Sequence, residues 1–184
     1  GDVGYGKTEI ALRAAIRAVE SDRVVFVMAP TTVLANQHYI SFGRRLSPLG
    51  VNVELLSRFR TKREQMKTIE ALARGLVDVL VGTHRLISED VYTENLGLIV
   101  LDEEHRFGVK HKEKIKSLRP TVDVLTLTAT PIPRTLKQSL VGLKNISKIN
   151  TPPRSRRPIK TFLHYFDWEK IFSIIKRETR RGGQ

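Results

Sequence analysis

Short apolar runs along the chain alternate with longer segments of mixed polarity. Runs of four to six residues of this kind are typical of strands buried in a parallel sheet. The segments between them have helical composition and are punctuated by Gly and Pro. The predicted strands are 24–29, 51–56, 77–81, 98–101 and 122–127, and the predicted helices are 8–20, 32–46, 61–74, 110–118 and 132–140. This alternation predicts an α/β fold built on a doubly wound parallel sheet.

The composition changes after residue 150. Segment 151–158 contains three prolines and three arginines, and we interpret it as a linker. Segment 159–166 is predicted to be a strand, and 167–181 a helix capped by Asp167. Because one strand and one helix cannot bury a core, we interpret 159–184 as the truncated start of a second domain that follows the first, residues 1–150.

The chain has 184 residues, of which 40% are hydrophobic, so we expect a globular protein. It has no cysteine, which excludes disulfides and thiolate metal sites. No apolar run approaches the ~20 residues needed to span a bilayer, so we expect no membrane contact and a cytoplasmic location. A net charge of +13, from 32 basic and 19 acidic residues, favours a polyanionic partner such as nucleic acid.

The first eight residues fit the pattern of a phosphate-binding loop, Gly, four residues, Gly, Lys, then Ser or Thr. Gly4 and Gly6 would let backbone N–H groups approach an anion closely. Lys7 would contact the β and γ phosphates of a bound nucleotide, and the Thr8 hydroxyl would hold Mg²⁺. A strand normally precedes this loop, so we expect the native protein to continue upstream of Gly1.

Two adjacent carboxylates follow the strand predicted over 98–101. Ligands of parallel α/β sheets bind at the carboxyl ends of the strands. Asp102 is therefore predicted to hold the hydration shell of Mg²⁺ together with Thr8. Glu103 is predicted to orient and deprotonate the water that attacks the γ phosphate.

Other polar residues lie at the ends of the neighbouring predicted strands. The side chains of Thr31, Thr83 and Arg85 are suitable for phosphate contacts. Each of the segments that contain them, taken by itself, has the sequence of an ordinary turn. Thr128 and Thr130 follow the strand over 122–127, where their hydroxyls are predicted to bond to His105 and couple the nucleotide site to the rest of the protein.

Together these motifs resemble the first motor domain of superfamily 2 helicases and translocases. Segments 1–4, 102–109 and 129–136 are similar to the RecG-type translocases. Glu104 and segment 110–116 are most similar to the branch of that group that couples transcription to DNA repair in bacteria. The resemblance covers essentially the whole chain.

The resemblance implies a RecA-like motor that moves on double-stranded DNA using ATP and Mg²⁺. It gives Lys7, Asp102, Glu103 and His105 catalytic roles, and it makes Thr31, Thr83 and Arg85 contacts to the DNA backbone. In the coupling branch, such a motor displaces stalled RNA polymerase and recruits an excision-repair factor through other regions. The adenine-binding segment and the second-domain arginine finger are not in this sequence, so we expect the chain alone to fold but to hydrolyse almost no ATP.

Three alternatives remain open at this point. The first is a RecG-type helicase that remodels replication forks, which is the same class of enzyme with a different task. The second is a non-catalytic nucleic-acid-binding module with a relic nucleotide site, which the complete set of Lys7, Thr8, Asp102 and Glu103 disfavours. The third is a small-molecule kinase or GTPase, which the acidic box and the positive charge disfavour.

Overall fold

Five parallel strands organise the N-terminal part of the chain in the computed structural model. The structure describes residues 2–118, 122–129, 147–153, 161 and 163–182. It divides into two compact units, Gly1–Pro153 and Arg154–Gln184. That division lies inside the segment predicted to be a linker, and the assignment of the second unit to another motor domain stays a prediction.

Strands and helices alternate through the first unit. The strands are β1 (Val24–Met28), β2 (Val53–Leu56), β3 (Val79–Gly82), β4 (Leu96–Asp102) and β5 (Asp123–Leu127). The α-helices are α1 (Lys7–Val19), α2 (Thr32–Leu46), α3 (Lys62–Ala73) and α4 (Val109–Leu118), and short 3₁₀ helices span Ser47–Leu49, His84–Ile87 and Glu104–Arg106. The second unit contains α5 (Trp168–Arg180).

The strands lie in the order β2-β3-β1-β4-β5, and every pair is parallel. All five residues of β1 are buried, as its apolar run predicts. Successive side chains of a strand point to opposite faces, so Val25 and Val27 pack with α1 and α2 on one side. Phe26 and Met28 pack with residues of α3 and α4 on the other side. The predicted doubly wound sheet is therefore confirmed.

Helix caps explain why several boundaries agree with the sequence. The Thr31 hydroxyl accepts a hydrogen bond from the Leu34 N–H at 3.2 Å and starts α2. Thr61 and Glu64 form a reciprocal capping box at the start of α3. Gly75, with φ of 70°, follows the last turn of α3 in the left-handed conformation that glycine favours.

The structure differs from the predicted strands at a few ends. β4 runs from Leu96 to Asp102 because Leu96 pairs with Val24 and Asp102 pairs with Leu127. β2 begins only at Val53, where pairing with Val79 begins. Because pairing with a neighbour decides where a strand ends, hydrophobicity alone places these ends only approximately.

The predictions for the C-terminal third have mixed outcomes. The helix predicted over 132–140 lies outside the described residues. Residues 161 and 163–166 form no strand, since a strand needs a partner and the described part of this unit contains no other. The predicted helix is confirmed as α5, with Asp167 accepting hydrogen bonds from the N–H groups of Glu169 and Lys170.

No helix in the described part of the chain is both long enough and apolar enough to cross a membrane.

We predict opposite effects on stability for alanine at two glycines. At Gly82 a Cβ would lie 2.4 Å from the Leu56 carbonyl oxygen and 2.7 Å from Leu86, so Gly82→Ala should destabilise the chain by about 1–3 kcal/mol. At Gly43, inside α2, the nearest contact is 4.0 Å away, so Gly43→Ala should stabilise it by about 0.5–1 kcal/mol. Urea denaturation of the 184-residue chain measures both, and equal midpoints for the two variants would contradict the packing described at Gly82.

Candidate functional site

The predicted site residues gather because parallel strands end at a common edge. In the sheet register Met28 pairs with both Gly82 and Leu101, and Asp102 pairs with Leu127. Four neighbouring strands therefore end at nearly the same level. The chain leaves these ends at the segments that hold the predicted site residues Thr31, Thr83, Arg85, Asp102, Glu103 and Thr128. An edge of this kind is where ligands of α/β sheets bind.

The phosphate loop forms a turn that requires glycine at two positions. Gly4 and Gly6 have φ values of 76° and 82°, and the Tyr5 N–H donates to the Asp2 carbonyl oxygen at 3.3 Å. The Lys7 ammonium donates to the same carbonyl oxygen at 3.0 Å. Gly6 is the N-cap of α1 and brings no side chain to the first-turn N–H groups, which are suited to binding an anion.

A nearby carboxylate on α1 is matched by two arginines. Glu9 forms ion pairs with Arg13 at 3.1 Å and with Arg45 of α2 at 3.1 Å. Hydrogen bonds from Arg13 and then Arg45 hold the pKa of Glu9 below its usual range. The two arginines thus partly neutralise the negative charge of Glu9 in the first turn of α1. This lowers the repulsion between Glu9 and an anion at the loop predicted to bind phosphates.

Asp102 is the last residue of β4, and its side chain is held by α2. The Asp102 Oδ2 atom lies 2.8 Å from Nε2 of His38. The two side chains are only 16% and 10% exposed. Two interactions therefore hold Asp102 in place: strand pairing fixes its backbone, and the hydrogen bond to His38 fixes its carboxylate.

Glu103 has an unusual backbone conformation. Its φ and ψ are 52° and 50°, in the left-handed region that non-glycine residues seldom adopt. Its N–H donates to the Leu127 carbonyl oxygen at 3.0 Å, which ties this residue to the end of β5. Strained backbone of this kind persists only where the surrounding structure maintains it, and it is found most often at functional sites.

The residues present fit Mg²⁺ rather than a metal held by protein ligands alone. Among the described residues there is no group of three or more His, Cys, Asp or Glu side chains that could hold a metal. Mg²⁺ is commonly bound through one or two carboxylates together with waters and substrate phosphates. Asp102 and the Thr8 hydroxyl are hard oxygen groups of the kind such a site uses, and their role as ligands stays a prediction.

The predicted DNA contacts lie in different surroundings. The Thr31 hydroxyl caps α2, and Thr83 is only 7% exposed. Arg85 forms a bidentate pair with Asp90 at 2.6 and 2.5 Å. The hydrogen bond from Arg85 lowers the pKa of Asp90. The pair is therefore complete at a pH above the usual Asp pKa, and it is lost only when the pH falls through the lowered pKa. A phosphate that binds Arg85 would therefore compete with Asp90.

The predicted coupling residues are only partly described. His105 lies in the 3₁₀ helix Glu104–Arg106, but its side chain is outside the described part of the structure. Thr128 is half-buried directly after β5, and Thr130 lies outside the described residues. The coupling role of these three residues stays a prediction.

Sequence reasoning missed two side chains that the structure brings into the site. His38 lies on the buried stripe of α2 with Ala35, Phe42 and Leu46, and a polar ring in such a stripe is a signal that could have been followed. Asp90 lies five residues after Arg85 and beyond the end of the 3₁₀ helix His84–Ile87, so no helical spacing rule would have paired them.

Comparison with known proteins identifies relatives at the level of family, sequence and structure. The family model for DEAD/DEAH box helicases matches residues 1–139. Curated proteins named transcription-repair-coupling factor are 52% identical in Bacillus subtilis (strain 168), 55% in Haemophilus influenzae (strain Rd) and 50% in Escherichia coli (strain K12). Each match covers all 184 residues of this chain and 16% of the relative's length.

Solved structures give a similar result. RecG bound to a three-way DNA junction matches with a TM-score of 0.81 at 35% identity, over 100% of this chain and 25% of that chain. The Hef helicase domain of Pyrococcus furiosus matches with a TM-score of 0.56 at 26% identity, over 77% of this chain and 32% of that chain. The predicted fold is therefore that of a known helicase domain.

We predict that Asp90 restrains DNA binding by occupying Arg85. Asp90→Asn should release the guanidinium and tighten binding to duplex DNA about two- to fivefold, the range expected from an exposed ion pair. Glu89→Asn is the matched control, since it also removes one carboxylate at an exposed neighbouring position. Fluorescence anisotropy with a labelled duplex at fixed salt measures both, and equal affinities for the two variants would show that the charge alone is responsible.

Proposed function

The chain belongs to the DEAD/DEAH box helicase family, and we propose that it is the first motor domain of an ATP-dependent double-stranded DNA translocase acting in transcription-coupled repair. The observation that carries this proposal is the corner formed by Asp102 and Glu103. It places two carboxylates at the end of a central strand, one fixed by His38 and one held in a left-handed backbone conformation. The proposed task of the whole protein is to displace stalled RNA polymerase.

At the nucleotide site each residue has a separate proposed role. The N–H groups at the start of α1 and the Lys7 ammonium bind the phosphates of ATP. Thr8 and Asp102 would hold Mg²⁺, which would supply positive charge to the phosphates. Glu103 accepts a proton from the attacking water. Carboxylates with different surroundings at adjacent positions are suited to such a division, because Asp102 ends a strand and is bonded to His38, whereas Glu103 lies in the turn that follows.

DNA is proposed to bind along the same edge of the sheet through its phosphates. The net charge of +13 favours this, and sequence-independent binding is expected of a motor that moves along DNA. RNA polymerase and an excision-repair factor are proposed partners through sequence outside these 184 residues. The arginine finger that completes hydrolysis is proposed to come from a second motor domain.

A second candidate is replication-fork remodelling of the RecG type. The structural match of this whole chain to a quarter of RecG bound to a three-way junction favours it. The higher identities, 50–55%, are to proteins named transcription-repair-coupling factor, which favours the first candidate.

The deciding experiment uses the intact protein on two DNA substrates. One carries RNA polymerase stalled by nucleotide omission, and the other is a protein-free three-way junction. We expect release of the polymerase that requires ATP hydrolysis, as measured by gel mobility. Junction unwinding without polymerase release would favour the RecG-type alternative, and activity on neither substrate would favour a non-catalytic binding module.

We predict that Lys7→Ala in the intact protein abolishes ATP binding, because Lys7 provides the mobile positive charge of the phosphate loop. Titration of a fluorescent ATP analogue measures this, and Lys62→Ala, at an exposed position on α3, is the control for loss of one lysine. If Lys7→Ala and Lys62→Ala bind the analogue equally well, the loop is not the nucleotide site.

We predict that Glu103→Gln in the intact protein retains ATP binding but lowers turnover by ~10²–10⁴-fold, because the amide cannot accept a proton from water. Glu104→Gln is the matched control at the adjacent carboxylate and should change turnover much less. A coupled ATPase assay with duplex DNA measures both variants. Nearly full turnover in Glu103→Gln would assign the general base elsewhere.

A further inference from the structure

We propose that His38 is a positioning residue that sets the orientation of the Asp102 carboxylate for Mg²⁺. The proposal rests on the proposed function, since it takes Asp102 to hold the metal. His38 lies 64 residues before Asp102 in sequence and on a different element, α2. It is therefore a separate contribution from α2 to the nucleotide site.

The position of His38 in α2 is one where an apolar residue would be expected. Ala35, Phe42 and Leu46 of the same stripe are all at most 1% exposed and belong to the core. His38 as a whole residue is 8% exposed, and among the described residues it is the only buried one with an ionisable side chain. Burying a polar ring costs free energy unless its nitrogens have hydrogen-bond partners, so its presence here needs a specific partner.

That partner is Asp102. A carboxylate that binds a metal is ionised and can only accept hydrogen bonds. In that state Nε2 of His38 is the donor to Oδ2, and the two atoms are 2.8 Å apart. The ring is further oriented by Phe42, which it meets edge-on with centroids 6.2 Å apart and planes at 83°. Packing thus fixes the ring, and the ring fixes the carboxylate.

A carboxylate that is held in this way is a better ligand for a metal that demands strict geometry. Mg²⁺ requires near-ideal octahedral coordination, so a carboxylate that rotates freely must lose entropy on binding. The bond to His38 engages one of the two oxygens and removes that rotation in advance. Groups that hydrogen-bond to metal ligands typically contribute ~10–100-fold to metal affinity or activity.

The test compares two variants of nearly equal size in the intact protein. His38→Gln keeps an N–H donor at about the reach of Nε2, whereas His38→Met fills the space without a donor. A fluorescent non-hydrolysable ATP analogue is titrated with saturating Mg²⁺ and again in EDTA. The ratio of the affinity in Mg²⁺ to the affinity in EDTA measures how much the metal strengthens binding of the analogue.

We expect His38→Met to lower this ratio by about tenfold or more while leaving the affinity in EDTA unchanged. His38→Gln should restore a ratio close to that of the wild type. Affinities that fall equally with and without Mg²⁺ in both variants would show that His38 is only structural and would overturn the proposal. A wild-type ratio in His38→Met would also overturn it.

The proposed function fails separately, in the wild type. If the wild-type protein does not bind the analogue under either condition, both the nucleotide site and the role of His38 are overturned. If the wild type binds it and gains affinity from Mg²⁺, any failure in the variants concerns His38 alone. Urea denaturation of both variants measures any difference in folding between them.

Discussion

The pairing of β4 on both of its edges is the constraint on which the site depends. β1 bonds to one side of it and β5 to the other, so the backbone of Asp102 is fixed at the end of a buried strand. The same pairing brings the Leu127 carbonyl within 3.0 Å of the Glu103 N–H. The candidate site at this edge is thus supported by apolar residues of the sheet interior, since β4 keeps its place only while its Ile99, Val100 and Leu101 remain buried.

Charge near the same edge is arranged in local pairs despite the overall excess of positive charge. Glu9 binds Arg13 and Arg45, and Asp90 binds Arg85. Exposed ion pairs such as these contribute little to stability because water screens them. These pairs instead determine which cationic groups are available to a ligand. An arginine that is bonded to a carboxylate must release that carboxylate before it can bind a phosphate.

Most of the architecture followed from local sequence, and most of the site geometry did not. Apolar runs such as Val24–Met28 mark buried strands, and Thr31, Thr61 and Asp167 mark helix starts, because caps and burial depend on nearby residues. The motifs likewise indicated Asp102 and Glu103 as candidates, and their roles stay predictions. The His38 bond could not be predicted in the same way, because it joins residues 64 positions apart whose proximity depends on the strand order.

The left-handed conformation of Glu103 shows how strain and chemistry are connected at this corner. A non-glycine residue held in a sparsely populated region costs of the order of 1–3 kcal/mol. Glycine would relieve that strain, but it would remove the carboxylate. The bond from the Glu103 N–H to β5 helps to offset the cost, and it exists only because β5 lies beside β4. The position of a candidate general base is therefore maintained by the sheet, so that a packing change under β5 is expected to alter catalysis without touching the nucleotide.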